Sequence, residues 1–449
     1  MSAWLGSAAE KRSFDFFQTC ASGKLGGYLK APFWSREVLQ AAIVYPPIRH
    51  LVVALGAAYE RFECSDPNRL SGDDDDKMRF ALQRCNLSIR DITNLAASSG
   101  QSPEAMCCIL TASILFANFA SLQADFLQAI QHVRSGMRVL RNLESLGDSC
   151  EFPVPIPRLR SLLITLYAQV RTMINDEART DWDGRDPLVS DIEPVHSFLD
   201  SFDAQNYVER LFANTQAFFQ RTELHPPVTL EQTNATIVER HKLFDALKSS
   251  SDALDALVAR GSDEGDEKAI AISRLYNTWL LVRLNVSAFG EDQREAMFDR
   301  AEHHMSQMLG YCQLILANDD CSQDKTAPKP IYSSGLGVIL PLRMIAARCR
   351  NTALRQEALD LLIRARRREW LWDSTLSGKV LETTIEIERG AASGADAEAD
   401  RQGIQTVPDD GRVRETKLHF VSERSAWVDF ITVGQWRNQQ NGFRRFLQW

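Results

Sequence analysis

Apolar positions along this chain recur at helical steps. Phe126, Ile130, Val133, Met137 and Leu140 are spaced by four, three, four and three residues, which places them on one face of a helix. Gln128, Gln131, Arg134 and Arg138 are left for the other face. Just upstream, Ser102-Pro103-Glu104 offers a cap, a proline for the first helical position and an acid for the first turn. The stretch that follows, Ala105–Ala120, is apolar nearly all round and predicts a helix buried on most sides. Two helices parted by a short polar turn predict an antiparallel hairpin, although no 34-residue repeat of the tetratricopeptide kind runs through the chain. The same rhythm returns at Leu275, Trp279, Val282, Val286 and Phe289, and again across 336–363. Residues 38–62 read as two helices parted at Pro46-Pro47. Only Arg412–Val421 alternates at period two, which predicts one short exposed strand at most.

Two stretches break the pattern. Asp66–Lys77 carries four consecutive acids and reads as a solvated loop. Gly390–Gly403 is small, acidic and rich in glycine and alanine, which predicts a flexible linker. The expected fold is therefore all-α: an irregular multi-helix body built from antiparallel hairpins, with a flexible acidic linker and a short C-terminal tail. The expected boundaries are a tail at 1–11, the helical body at 12–389, the linker at 390–411 and the tail at 412–449.

Composition agrees with a globular chain: 449 residues, 44% hydrophobic and 24% charged, with only 23 glycines and 16 prolines to interrupt long elements. The formal charge of −8 repels nucleic acid overall, so no strong direct binding to it is expected. Nine cysteines, mostly within apolar stretches and with no CxxC pair, read as free buried thiols in a reducing compartment rather than as disulfides or a zinc site. The first residues lack the apolar core of a secretory signal, and the longest apolar run, Ala105–Ala117, falls short of the roughly 20 residues that span a bilayer. An intracellular protein without a membrane partner is the expectation.

Candidate chemistry is sparse. No G-x-S-x-G elbow marks a hydrolase serine. Gly335-x-Gly337 lacks the third glycine of a dinucleotide loop, and neither Gly23-Lys24 nor Gly378-Lys379 has the glycine spacing of a phosphate loop. His303-His304 is the most metal-like pair, but adjacent side chains on a helix point about 100° apart and favour an exposed polar face. His50 stands without a partner carboxylate in its own segment and reads as a satisfied, partly buried histidine. The expected catalytic, cofactor-binding and metal-binding sets are therefore empty, and no enzyme is expected. One lead is left, a basic cluster. From Arg343 to Arg368 there are eight arginines against two acids, and Arg364, Arg366, Arg367 and Arg368 form the candidate interaction or nuclear-import patch. The bland alternative is a solvated helix end whose arginines offset the dipole.

A resemblance accumulates in chain order. Ser13-Phe14-Asp15-Phe16-Phe17, Leu25-x-Gly27-Tyr28, Phe33-Trp34, Val38-Leu39-Gln40-Ala41, Pro47-x-Arg49-His50 and Val53-Ala54-Leu55-Gly56-Ala57 are followed by Phe80-Ala81-Leu82-Gln83 and Ala129-x-x-His132-x-Arg134-Ser135-Gly136. It resumes at Leu340-Pro341-Leu342, Arg355, Ala358-Leu359 and Arg367-Arg368-Glu369-x-Leu371-Trp372-Asp373. This order resembles the regulatory domain of fungal zinc binuclear-cluster (six-cysteine) transcription factors, in the subgroup found beside secondary-metabolite genes. The resemblance implies an all-α body that modulates a DNA-binding module. The nine cysteines lack the paired spacing of that module's zinc cluster, so the expectation is a regulator-like chain without its own zinc cluster, acting through protein partners such as a DNA-binding regulator or the transcription machinery. Nuclear localisation follows from the resemblance, with the cytoplasm as the alternative. A small effector between helices and a homodimer are compatible with the same reading. The competing function is an accessory enzyme or chaperone-like protein of a biosynthetic pathway, using an all-α pocket.

Overall fold

The computed structural model describes residues 6–28, 32–64, 72–99, 102–145, 151–173, 192–261, 266–286, 294–317, 329–392, 407–422 and 424–449. The chain starts as α1 (Ala8–Phe16), held by a capping box in which Ser7 Oγ accepts the Glu10 N–H and Glu10 returns to the Ser7 N–H at 2.7 Å. Helix thus begins inside the stretch expected to be a tail. The first body of helices comprises α2 (Val38–Val44), α3 (Pro46–Cys64), α4 (Gly72–Ser99), α5 (Pro103–Leu122), α6 (Phe126–Glu144) and α7 (Ile156–Val170). Helix α1 lies so close to α3 that a Cβ on Gly56 would stand 2.0 Å from the Ser13 carbonyl oxygen, which accounts for glycine there. The acidic run expected as a loop instead enters α4 at Gly72; residues 66–71 lie outside the described residues. Acids in a first helical turn are stabilised by the positive end of the dipole.

Helix α5 extends beyond the apolar run counted from sequence. Its internal polar side chains turn back on their own backbone: Thr111 donates to the Cys107 carbonyl, Ser113 to Ile109 and Asn118 to Ile114, each at 2.8 Å. The helix is long and apolar enough to cross a membrane, yet 89% of its most apolar 18-residue stretch is buried inside the protein. It is a core helix.

A second core is built by α8 (Ser201–Leu224), α9 (Leu230–Ala259), α10 (Glu267–Val286), α11 (Glu302–Leu316), α12 (Ile339–Arg348), α13 (Thr352–Arg364) and part of α14 (Ser374–Ala392). Between the two cores runs a small sheet of order β1-β2-β3: β1 (Ile331–Ser333) pairs parallel with β2 (Arg367–Glu369), which pairs antiparallel with β3 (Trp372–Asp373). Trp370 and Leu371 belong to the first core, while Trp372 packs on the second. The fold is thus mostly helical rather than all-α.

A second departure lies at the C-terminus. Where a tail with one strand was expected, β4 (Val413–Ser422), β5 (Ser425–Thr432) and β6 (Phe443–Gln448) form an antiparallel sheet. Ala426, Val428 and Phe430 of β5 face Leu376 and Val380 of α14. Only β5 alternates cleanly between buried and exposed, so three short strands with one small apolar face leave a faint period-two signal. Of the expected linker, Gly390–Ala392 close α14 and residues 393–406 lie outside the described residues.

Buried charge fastens this sheet to the helices. Glu388 of α14 is fully buried, accepts from Arg350 at 3.0 Å and Arg355 at 2.7 Å, and takes the Val413 N–H at the start of β4 at 2.9 Å. Arg412 clamps Asp299 with two bonds of 3.0 and 2.8 Å. Burial acts to raise the Glu388 pKa, but the two guanidiniums and the N–H outweigh it and hold the carboxyl below its ordinary value. Its contribution to stability is therefore complete above the unfolded value near 4.5 and is lost as pH falls through the lower folded value. Glu388→Gln is expected to lower unfolding free energy by about 3–5 kcal/mol at pH 7, as for other broken buried pairs. In acid titrations followed by circular dichroism, the variant should lose less stability than the parent below pH 4.5.

Candidate functional site: a cleft at the edge of the second core

Helix α8 begins at a firm cap, with Asp200 accepting the Asp203 N–H at 2.7 Å. Four turns on, Gln216, Phe219, Gln220 and Glu223 fall at steps of three, one and three, and share one face of the helix. Trp279 and Arg283 of α10, one turn apart, form the facing wall, and Arg171 and Thr172 at the end of α7 close one side. Leu340 from the first turn of α12 and Trp372 of β3 complete the lining. The cleft is open to solvent, and the space within it and at its mouth is about 610 Å³.

The aromatic walls are held in place from behind. Trp372 donates its indole N–H to Thr172 Oγ1 at 3.0 Å, and the Arg343 guanidinium rests 4.4 Å from its ring centre. Burial, helped by the charge on Arg348, pulls the Arg343 pKa down to about 10, so the group is still a cation at neutral pH. Arg283 lies 4.7 Å over Phe219 and 5.5 Å over Trp279, which draws its charge across the aromatic wall.

Deep in the cleft the hydrogen bonding is incomplete. Gln216 and Gln220 are each 4% exposed and Trp279 is 3% exposed. The Gln216 amide nitrogen, both ends of the Gln220 amide and the Trp279 indole nitrogen have no hydrogen-bond partner among the described residues. Each such buried group costs about 1–3 kcal/mol when left unpaired, and native proteins keep few of them. These atoms have almost no accessible surface and lie within the walls rather than on the open face of the cleft. The lining supplies one carboxyl, Glu223, while the buried carboxyls with raised pKa values lie elsewhere. Glu209 is raised by burial and held by Gln205 and Thr165, and Glu369 is raised by burial against the pull of Arg367.

The four arginines expected as one basic patch are not one surface. Arg364 is exposed at the end of α13, with Nε 3.3 Å from the Asp360 carbonyl. Arg366, half-buried, takes a positive φ of 43° at the turn into β2. Arg367 is buried, bonds Glu369 at 3.2 Å and lies 4.9 Å over Tyr28. Arg368 is half-buried and reaches the Leu122 carbonyl at 2.9 Å and Asp373 at 3.0 Å. The reason is the strand: β2 runs between β1 and β3 and turns its side chains into both cores. Arg348, Arg350 and Arg355 are likewise spent inside, on Glu295, Glu388 and backbone carbonyls.

The other sequence candidates are also placed. His303 is exposed and His304 half-buried on α11, their rings 5.7 Å apart and tilted by 57°, while Glu302 accepts from Asn351. Among the described residues no three His, Cys, Asp or Glu side chains are grouped to hold a metal ion. His50 faces Asp91 of α4 at 3.8 Å, a partner 41 residues downstream that its own segment does not show; burial lowers its pKa and Asp91 opposes this. Gly337 has no loop to cradle: a Cβ there would stand 2.0 Å from the Glu369 carboxyl carbon, so glycine makes room for that carboxylate. Sequence reasoning found Trp279 and Trp372 only as parts of apolar or family-like segments, and missed Gln216 and Gln220. Their signal is two amides one turn apart on a helix whose neighbours Phe212, Phe218 and Phe219 are buried.

Comparison with known proteins finds a distant likeness to a fungal protein named as a transcription regulator. The chain is similar to the aspercryptin biosynthesis cluster-specific transcription regulator of Emericella nidulans, at 24% identity over 514 aligned positions that cover 92% of this chain and 80% of that protein. No family model matches the sequence, and no solved structure matches it.

Arg367→Ala is expected to cost about 3–5 kcal/mol in urea unfolding, because it leaves the Glu369 carboxylate buried beside a lost cation. Arg364→Ala, on the exposed helix end, should stay within about 0.5 kcal/mol.

Proposed function

We propose that this chain is a fungal transcription regulator whose helical body works through contacts with other proteins, in the nucleus, to set expression of a biosynthetic gene cluster. The similarity to a cluster-specific regulator along 92% of the chain carries this reading. Two physical features support protein rather than DNA contact as the working mode. The chain is acidic, at −8, and most of its densest arginine cluster is consumed in holding the fold together. A protein that binds DNA through phosphates needs its cations on the surface. Target choice then comes from a DNA-binding partner, with the helical body as the adaptor.

Deleting the gene in its fungus should change transcripts of one contiguous gene cluster several-fold and leave unlinked genes unchanged. A fluorescently tagged full chain should accumulate in nuclei. The purified chain alone should give no sequence-specific nanomolar shift of the responding promoters at physiological salt, and cross-linking to them in cells should depend on a second protein. A tagged chain confined to the cytoplasm, or transcripts unmoved by deletion, would overturn the reading.

A further inference from the structure

We infer that the open edge of β6 takes up an extended, acidic segment of a partner protein as a fourth strand of the C-terminal sheet, with carboxylates beside Arg445 and apolar side chains beside Phe446. The surface deepens the reading of protein contact proposed above, on which only its use in the cell rests.

The two edges of this sheet differ. The free side of β4 is turned to the helices: the Val413 and Arg414 carbonyls accept from Arg348, and Phe420 stands 5.0 Å from Phe126 of α6. Strand β6 pairs with β5 on one side, and among the described residues no strand pairs with its other side. Such an edge presents N–H and C=O groups at every second residue, which another extended chain can match. Register sets what each face of the edge offers. Residues directly opposite across a ladder share a face, so Phe446 lies with Trp427, their rings 5.1 Å apart and both side chains 43% exposed. Arg444 is on that same face and is already clamped to Asp429 by bonds of 2.6 and 2.8 Å. Arg445 falls on the other face, opposite Val428. It is exposed, its Nη1 reaches the Arg444 carbonyl at 3.3 Å, and among the described residues no carboxylate pairs with it. Charge then chooses the occupant. From Ser425 to Gln448 three arginines stand against Asp429 alone, in a chain of −8. Pairing β6 with β6 of a second copy would bring Arg444 and Arg445 of both chains into one short ladder, and like charges across a ladder repel. An acidic strand meets attraction instead. With acids at every second position, its carboxylates fall on the Arg445 face and its apolar side chains against Phe446 and Trp427.

The test uses the full chain and a fluorescein-labelled eight-residue peptide of alternating aspartate and valine, titrated by fluorescence anisotropy. Saturable binding at about millimolar concentration or below is expected. A peptide with lysine in place of aspartate should not saturate. Two further versions of the acidic peptide are N-methylated, one at every valine and one at every aspartate. Only one set of N–H groups can face the ladder, so one version should bind at least about tenfold more weakly and the other about as well as the unmethylated peptide. Simple charge attraction would not tell these two apart. Arg445→Glu changes an exposed side chain and should unfold at the parent's midpoint, yet bind the acidic peptide at least about threefold more weakly; Arg445→Lys should stay near the parent. Failure of the acidic peptide to saturate, equal binding of the lysine peptide, equal binding of both N-methylated versions, or unaltered binding by Arg445→Glu would each overturn the inference. So would a dimer of the chain that the acidic peptide dissolves, since the edge would then belong to a second copy. These measurements bear on the edge alone, whereas transcripts after gene deletion bear on the regulatory role.

Discussion

A buried carboxyl needs hydrogen-bond partners, and Glu369 has three. It takes the Val338 N–H at 3.0 Å and the Ile339 N–H at 2.7 Å, at the start of α12, and Arg367 at 3.2 Å from its own strand. The first two donors are orphans of the helix end, which nothing else in the segment can satisfy. One side chain thus caps a helix of the second core while its neighbours Trp370 and Leu371 are sunk in the first. The rest of the ribbon follows from that anchoring. Ser121 donates to the Trp370 carbonyl at 2.7 Å, Trp370 N–H reaches Ser333 at 2.7 Å, and Asp373 Oδ1 accepts the Thr375 and Leu376 N–H groups that open α14. Trp370 adopts a positive φ of 52°, a cost borne by a residue fixed on every side. The segment ties the two cores together, and Trp372 at its end enters the wall of the cleft.

Helices whose faces are apolar at steps of three and four were legible because burial is what that spacing encodes. Phe126, Val133, Met137 and Leu140 lie in the first core, and Leu275, Trp279, Val282 and Val286 in the second. The strands were not legible for the same reason. Arg367–Glu369 and Trp372–Asp373 are too short to show a period, and their polarity reads as surface until ion pairs are known. Charge balance in sequence misled in the same way. Counting arginines between 343 and 368 gives a basic patch, yet Glu295 and Glu388 pair with them from far along the chain, and Glu369 and Asp373 stand just past the counted window. Long-range pairing leaves no local mark. The cleft was hidden because its amides neighbour aromatic residues, which local reading assigns to the core, and its charged members Arg171, Glu223 and Arg283 come from three separate segments.

Regulatory function sits easily on such an architecture. Two packed bodies joined by a ribbon with side chains in both can transmit small displacements through rigid packing, since close-packed interiors deform little. Trp372 lies in the cleft wall and is two residues from Trp370 in the opposite core. The arrangement needs no acid–base chemistry to be useful.

The charged clamp at Glu388 carries a consequence for synthesis of the chain. Arg348 needs the carbonyl of Arg414, and Glu388 needs the Val413 N–H, yet β4 emerges from the ribosome long after α12. Its partner β5 arrives later still, and β6 closes the sheet at the last residues. A nascent chain therefore carries its helical bodies with one polar seam unsealed until β4 has been made. A chain cut short between Ala392 and Arg412 would keep nearly every described helix, yet Glu388 would lack the Val413 N–H and Arg348 the carbonyls of Val413 and Arg414, while both keep their ion-pair partners.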